Sequence, residues 1–280
     1  MKNDNKNICS IKIISQPSNE NPFVIIYKPK NIPSAPLTID DNNNALSMAL
    51  HFFPEIKNVV GKKQIEYGLI HRIDTSTDGL LLIATTQQAY DFFINLQKEN
   101  KFIKRYHAEC EYIKNYVEYK KGFPVCKNLI DFDKESLGKE KKEIIQQSAF
   151  RFFGPGRKEV RPVIINDKKS ALKKVESSKT EFKIYSTKIL LEKNSFNNSI
   201  IAKCEISNGF RHQVRCHLAW MNLPIKGDII YNINSTEKEL KFTAYELEFI
   251  HPITKKELYF EQDPPKEFIE ELNKLRESNE

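Results

Sequence analysis

The alternation of apolar and polar positions along the chain predicts strands and helices intermixed, with no internal repeat. FVIIYKPKNIPSAP (23–36) predicts a buried strand running into a proline-punctuated loop. ALSMALHFFPEI (45–56) has helical spacing, with Thr38, Asp40 or Asp41 as candidate caps and Pro54 near its end. After a polar turn that follows His71, GLLLIAT predicts a short continuous apolar strand. QQAYDFFINLQKE then places Phe92, Phe93 and Leu96 on one helical face. KFIKRYHAECEYI (101–113) alternates, with Tyr106, Ala108, Cys110 and Tyr112 on one side and Arg105, His107, Glu109 and Glu111 on the other. That pattern predicts a half-buried strand. Two more strands follow in EFKIYSTKILLE (181–192) and SIIAKCEIS (199–207), and NGFRHQVRCHLAWMN (208–222) predicts a turn feeding a helix. TAYELEFIHPITKKELYFE (243–261) predicts a hairpin around Pro252 to Lys256, and EFIEELNKLRE a closing amphipathic helix.

Residues 114–180 break this rhythm with charge runs such as DKESLGKEKKE and the loop FFGPGRKEVRP, and predict a peripheral, basic, partly flexible insertion. The expected organisation is a polar lead-in (1–20), one catalytic domain (21–270) carrying that insertion, and a short tail (271–280). Strands joined by short turns favour α+β with a mixed, largely antiparallel sheet over a doubly wound parallel sheet.

Composition narrows the class. A chain of 280 residues with 40% hydrophobic and 29% charged positions can bury its own core, and monomer is the default expectation. No apolar run approaches the roughly 18 residues of a membrane span, and the start carries no export signal, so a cytoplasmic protein is expected. The five cysteines are scattered without a CxxC spacing, which argues against a disulfide framework or a structural zinc site. A net charge of +7 is the balance of a protein that meets a polyanion. Only eight of the 44 basic residues are arginine, and seven of those fall in HRID, KRYHAE, RFFGPGRKEVR and FRHQVRCH. In so lysine-rich a chain, arginine marks places that need a planar, bidentate, permanently charged group. Gly79, Gly209 and Gly227 stand beside these segments as candidate tight turns or close approaches, or as ordinary loop glycines.

The sharpest candidate for chemistry is Asp74 in GLIHRIDTSTDGLLLIATT (68–86), two residues past a His-Arg pair and just before a tight turn expected at Gly79. It is either a reactive carboxylate held at a cleft or a cap for the turn of Thr75, Ser76 and Thr77. A nearby guanidinium would keep it ionised and aimed. Arg211 and Arg215, four apart on one predicted helical face, offer that group, one for a carboxylate and the other for a phosphate. His212 and His217 are poorly spaced for a metal, and no metal or cofactor is expected. Tyr106 beside Lys104 and Arg105, read as lying on a strand edge, sets an aromatic face next to positive charge, as stacking of a nucleobase needs. No GxxxxGK or GxGxxG is present, so nucleoside triphosphates and dinucleotides are not indicated.

Taken in order, these blocks resemble the RluA-type family of RNA pseudouridine synthases. HRIDTSTDGLLLIA is similar to the family's HRLDxxTSGLLL, KRYHAEC to its K-x-Y motif, and GFRHQVRCHLAWMNLPIKGDIIY to its GRTHQIRxHLxxxGxPIxGDxxY segment. FVIIYKPKNIPSAP resembles the opening strand and KP loop, and FTAYELEFIHPITKKELYFEQDPP the closing hairpin, so the likeness spans about residues 23–268. The resemblance implies a pseudouridine synthase fold with two abutting sheet halves and a catalytic cleft, acting without cofactor on structured ribosomal or transfer RNA. It implies Asp74 as the essential aspartate, Tyr106 as the ring that stacks on the target uracil, Arg215 as the partner of Asp74, and Arg72 as the residue entering the gap left by the extruded nucleotide. Lys104, Arg105 and Arg211 are the further candidate RNA contacts. Asp74 would either attack the anomeric carbon or remove the ribose 2′ proton to give a glycal. The chain departs from the pattern at Asp78, where the family has Ser and solvent exposure is expected, and at Phe210-Arg211, which replace Arg-Thr. No room is expected before residue 21 for an S4-type RNA-binding domain. The rival readings are an RNA-binding or assembly factor without chemistry, and a metal-dependent nucleic-acid hydrolase that chelation would silence.

Overall fold

The computed structural model describes residues 11–130, 142–164, 173, 182–193 and 199–262. The closing helix expected over EFIEELNKLRE and most of the DKESLGKEKKE run lie outside them. Among the described residues the chain divides into two compact units, 11–102 with 248–262, and the intervening described residues up to 247.

In the first unit, β1 (Lys12–Ser15), β2 (Phe23–Lys28) and β3 (Asp78–Ala84) lie side by side and antiparallel. The β2–β3 register runs from Phe23↔Ala84 to Lys28↔Gly79. All seven residues of β3 are buried, as the continuous apolar run predicts. Helix α1 (Ala45–Phe52) is capped by Asn44, whose Oδ1 accepts from the Ser47 amide at 2.9 Å. Asp41, one of the expected caps, instead accepts from the Leu37 and Asn43 amides in the preceding turn. Helix α2 (Gln87–Lys98) is capped by Thr86 and buries Ala89, Tyr90, Phe93 and Leu96, so that of the predicted face Phe93 and Leu96 are buried and Phe92 is half-buried. Phe93 meets Phe23 and Phe249 edge to face at 5.7 and 5.3 Å. The hairpin partner β10 (Glu257–Glu261) pairs with β9 (Phe242–Ile250), whose last three residues belong to this unit.

In the second unit, β4 (Ile103–Cys110) sits between β9 and β8 (Ile200–Ile206). Beyond β8 come β7 (Tyr185–Lys193), β5 (Lys142–Phe153) and β6 (Glu159–Val163), each pairing antiparallel with the next. The elements are those of an α+β protein with a mixed, largely antiparallel sheet. An interior position explains why β4 is not half-buried: Lys104 and every residue from Tyr106 to Cys110 are buried. The polar side of β4 is made acceptable by partners, since Glu109 takes the Lys226 ammonium at 2.6 Å and the His107 ring lies 4.1 Å from that of Tyr245.

The described part of 114–180 is not peripheral. The first half of β5 pairs with β7 and its second half with β6, so the strand leaves the sheet to form a hairpin. Phe150 and Val160 are fully buried with Tyr116, Cys216, Ala219 and Tyr231. The charge runs dominate the sequence there, but the apolar alternation of EIIQQSAFRFF builds core. The short helix α3 (Tyr116–Tyr119) brings Tyr116 to this cluster, and helix α4 (Gln213–Trp220) is buried along its whole length against it. Its preceding residue His212 is left-handed at φ 54°.

Candidate active site

Asp74 opens a four-residue turn whose last amide, Thr77, donates to the Asp74 carbonyl at 3.0 Å. The turn is therefore Asp74–Thr77. Gly79, expected to make it, lies inside β3 at φ 132° opposite Lys28. The loop after β2 grips the turn on both sides of Asp74. The Ser34 hydroxyl accepts from the Ile73 amide at 3.1 Å and donates to its carbonyl at 2.8 Å. The Thr75 carbonyl accepts from the Asn31 amide at 2.8 Å and from the buried Lys28 ammonium at 3.2 Å. Lys28 also serves the Ile32 and Pro29 carbonyls at 2.7 and 2.9 Å. Burying a charge is tolerable when its hydrogens are all spent on acceptors, and here those acceptors are the backbone that holds Asp74. Asp74 itself is half-buried.

Asp78 is 4% exposed, not solvated as expected. Register explains this: Tyr27, one residue before Lys28 on β2, donates its phenol to the Asp78 carboxylate at 2.5 Å. Burial, and then the adjacent Asp78 charge, push the Tyr27 phenol up, so it remains a donor at every working pH. Arg72 is exposed and paired with Glu66 at 3.2 Å.

In the second unit, Tyr106 is 6% exposed and its ring is backed by Phe242 at 5.0 Å and 12°, which fixes its plane. Lys104 and Arg105 do not sit on a strand edge. Arg105 bridges two carboxylates across neighbouring strands, Glu205 at 2.7 Å and Glu246. Lys104 is buried, and desolvation, helped by Lys183, lowers it to about 8. Lys104 is thus an interior group, while the half-buried Arg105 ties neighbouring strands together. Arg211 and Arg215 do not share a helical face either, because α4 begins only at Gln213. Arg211 is exposed in the turn, and its Nη1 donates to the Arg157 carbonyl at 3.3 Å.

Arg215 is 3% exposed and clasps Asp228 with two parallel bonds of 2.8 Å. Burial works against the charge of Asp228, but the guanidinium fork and the amides of Tyr231 and Ile230 outweigh it and hold the carboxyl below its ordinary value. Gly227 precedes this aspartate at φ 70°, with the space for a Cβ already taken by the Glu239 carbonyl oxygen at 1.9 Å. Of the candidate glycines, Gly227 and Gly79 both take a positive φ, and Gly227 also lacks the space for a Cβ. His217 hydrogen-bonds through its two ring nitrogens to Thr187 and Ser148, at 2.8 and 3.0 Å, and burial lowers it to about 3. No metal-ligating cluster occurs among the described residues. The four described cysteines are free and buried, and burial raises the Cys126 thiol to about 11.

Sequence reasoning missed Lys28, Asn31 and Ser34 as holders of the turn and Asp228 as the fork's acceptor. The KP loop and the PIKGD segment were the signals that contained them.

The sequence profile described as RNA pseudouridylate synthase matches residues 22–220. An RNA pseudouridine synthase of Mycoplasma pneumoniae is 25% identical over 258 residues, which cover 90% of this chain and 67% of that protein. The ribosomal large subunit pseudouridine synthase D of Neisseria meningitidis is 20% identical over 269 residues, covering 90% of this chain and 59% of that one. This chain thus spans roughly three fifths to two thirds of the relatives' length. Among solved structures, human RNA pseudouridylate synthase domain containing 1 has a TM-score of 0.58 at 17% identity, over 92% of this chain and 85% of that chain, a likeness of fold. With the profile extending over most of the chain, the protein belongs to the RNA pseudouridylate synthase family.

Proposed function

We propose that this protein isomerises uridines of a structured RNA to pseudouridine, with Asp74 as the reacting carboxylate. The observation that carries the reading is the turn Asp74–Thr77, pinned through its backbone by Ser34, Asn31 and Lys28 while Asp74 itself is only half-buried. A group that must meet one ribose atom gains rate from such fixed placement. The reaction breaks the N1–C1′ bond, turns the uracil, forms a C5–C1′ bond, returns a proton to N1 and releases the C5 proton. It needs no redox partner. Asp74 begins it by attack on C1′ or by removal of the 2′ proton. Tyr106, its plane fixed by Phe242, stacks on the uracil. Arg215 supplies a guanidinium whose orientation Asp228 sets, and Arg72 and Arg211, both exposed, contact the RNA. Relatives named for the large ribosomal subunit favour ribosomal RNA as substrate, with transfer RNA as the second class. Cytoplasmic location and a monomeric state belong to the same reading.

The test is tritium release from RNA labelled at C5 of uracil, using total RNA from cells lacking the protein. Wild type should release tritium and Asp74→Ala should not. Tight binding without release would instead make the protein a non-catalytic RNA-binding factor.

A further inference from the structure

Asp228 fixes the direction of the Arg215 guanidinium, but a fork of two side chains needs a further tie to fix its place in the fold. Both arms of the fork lead to one residue of β6, Val160. From α4, the Sγ of Cys216, next in sequence to Arg215, donates to the Val160 carbonyl at 3.4 Å. From the loop after α4, the fully buried Tyr231 gives its amide to Asp228 Oδ1 at 3.0 Å and its phenol to Val160. The phenol oxygen accepts from the Val160 amide at 3.1 Å, and its proton has the Val160 carbonyl and His212 Nδ1 before it, each at 3.4 Å. The Tyr116 hydroxyl donates to the Tyr231 carbonyl, so Tyr231 is tied at both its backbone and its side chain. Its ring centroid lies 5.6 Å from the Arg215 guanidinium carbon and 5.9 Å from that of Arg161. Arg161 in turn locks β6 beside Val160. It is 1% exposed, donates to the Lys121 and Val160 carbonyls at 2.9 Å each and to Glu159 at 2.5 Å, and lies 4.5 Å from the rings of both Phe123 and Phe153.

A ring beside a guanidinium attracts it through the negative face of its π system, and the attraction grows where water is excluded. A buried phenol bonded to backbone cannot slide without leaving a polar group unpaired, so it holds its ring in place. Tyr231 joins these effects: its amide bonds Asp228, its ring flanks Arg215, and its hydroxyl bonds a strand that Arg161 makes rigid. We infer that Tyr231 is a positioning residue for the isomerisation, fixing the Arg215–Asp228 fork to β6 so that the guanidinium stands at one place beside the reacting nucleotide. Being fully buried, Tyr231 acts through Arg215 alone. The inference rests on the proposed synthase reaction and brings the β5–β6 hairpin into its machinery.

The experiment pairs steady-state tritium release with nitrogen NMR spectra of the guanidinium groups, both on the full chain. In wild type the Arg215 signal, assigned by its absence from Arg215→Lys, should show resolved Nη resonances, because the fork stops rotation about the Nε–Cζ bond. Tyr231→Phe keeps the ring and removes the phenol. It should merge those resonances and lower kcat roughly tenfold, with KM within about twofold of wild type. Leu191→Ala deletes a fully buried side chain of β7 in the same unit, and should lower the denaturation midpoint while leaving the Arg215 signal and kcat as in wild type. That contrast separates positioning from loss of stability. Resolved Arg215 resonances in Tyr231→Phe overturn the inference. So does a merged signal with kcat retained, or a fall in kcat that Leu191→Ala shares. Because the spectra read the fork without any reaction, absent tritium release from wild type refutes the synthase reading, and a merged signal then still shows Tyr231 holding the fork.

Discussion

The Asp74 turn and the Arg215–Asp228 pair hold charged groups by opposite means. Asp74 is placed through its backbone: its neighbours' amide and carbonyl groups are gripped by Ser34, Asn31 and Lys28, and the residue itself is half-buried. Arg215 is placed through its own side chain, closed into a buried fork with Asp228. A group that changes its bonding during a reaction is best fixed from behind, whereas a group that only orients or stabilises can be fixed at its charged end. The two arrangements should fail differently.

The largest effect is expected at the fork. Asp228→Ala leaves a buried guanidinium without its carboxylate and two amides without an acceptor. Loss of one member of a buried pair costs on the order of 3–5 kcal/mol. Denaturant melts should show this as a fall in midpoint with little change in slope. A variant as stable as wild type would mean that the pair is not the anchor its geometry indicates.

Acid should separate the two regions next. Burial and then Lys203 lower His107 to about 4, against the pull of Glu192, and burial lowers His217 to about 3. Each is neutral when folded, and the unfolded chain takes up a proton near pH 6.5, so the stability they provide is complete above pH 6.5 and is lost as pH falls below it. Between pH 7 and pH 5 each accounts for about 2 kcal/mol. Both lie in the second unit, so hydrogen exchange at pH 5 should rise in α4, β7 and β8 before β2 and β3. Uniform acceleration would refute the assignment.

How much of this was legible in the sequence depends on how far apart the contacting residues are. Asp74 stood out because its neighbours in sequence already made a polar turn before an apolar strand. Its holders did not, since Ser34 lies 39 residues from Ile73 and Lys28 47 residues from Thr75 along the chain, and only the β2–β3 register brings them to the turn. Asp78 was misjudged for the same reason: a carboxylate beside a turn looks solvated until the cross-strand Tyr27 is known. Arg211 and Arg215 show a different limit. A spacing of four implies one face only when both residues are helical, and the left-handed His212 starts the helix between them. In 114–180, charge content hid strands whose core residues, Phe150 and Val160, alternate in plain view.

Lys28 tests the backbone-held region at a smaller cost. Lys28→Met keeps the buried stem but removes hydrogen bonds to three carbonyls, an expected loss of about 2–3 kcal/mol. The informative readout is catalytic. A displaced turn should lower kcat far more than it raises KM, by as much as about 100-fold for a shift of about 1 Å. Loss of stability with kcat preserved would reduce Lys28 to a core residue.

The smallest effect separates the turn from the strand that follows it. Tyr27→Phe removes the phenol from Asp78 and leaves a buried carboxylate short of a donor, at an expected cost of about 1–3 kcal/mol. If Asp78 only joins β3 to β2, replacing it with the Ser usual in the family should relieve that cost in the Tyr27→Phe background, because a hydroxyl is easier to bury than a carboxylate. A double-mutant cycle on stability and on kcat reads the two roles apart. Coupling confined to stability makes the pair a strand clasp. Coupling in kcat as well would mean that the position of Asp74 is set from both ends of its turn, by the Lys28 loop before it and by Tyr27 through Asp78 after it.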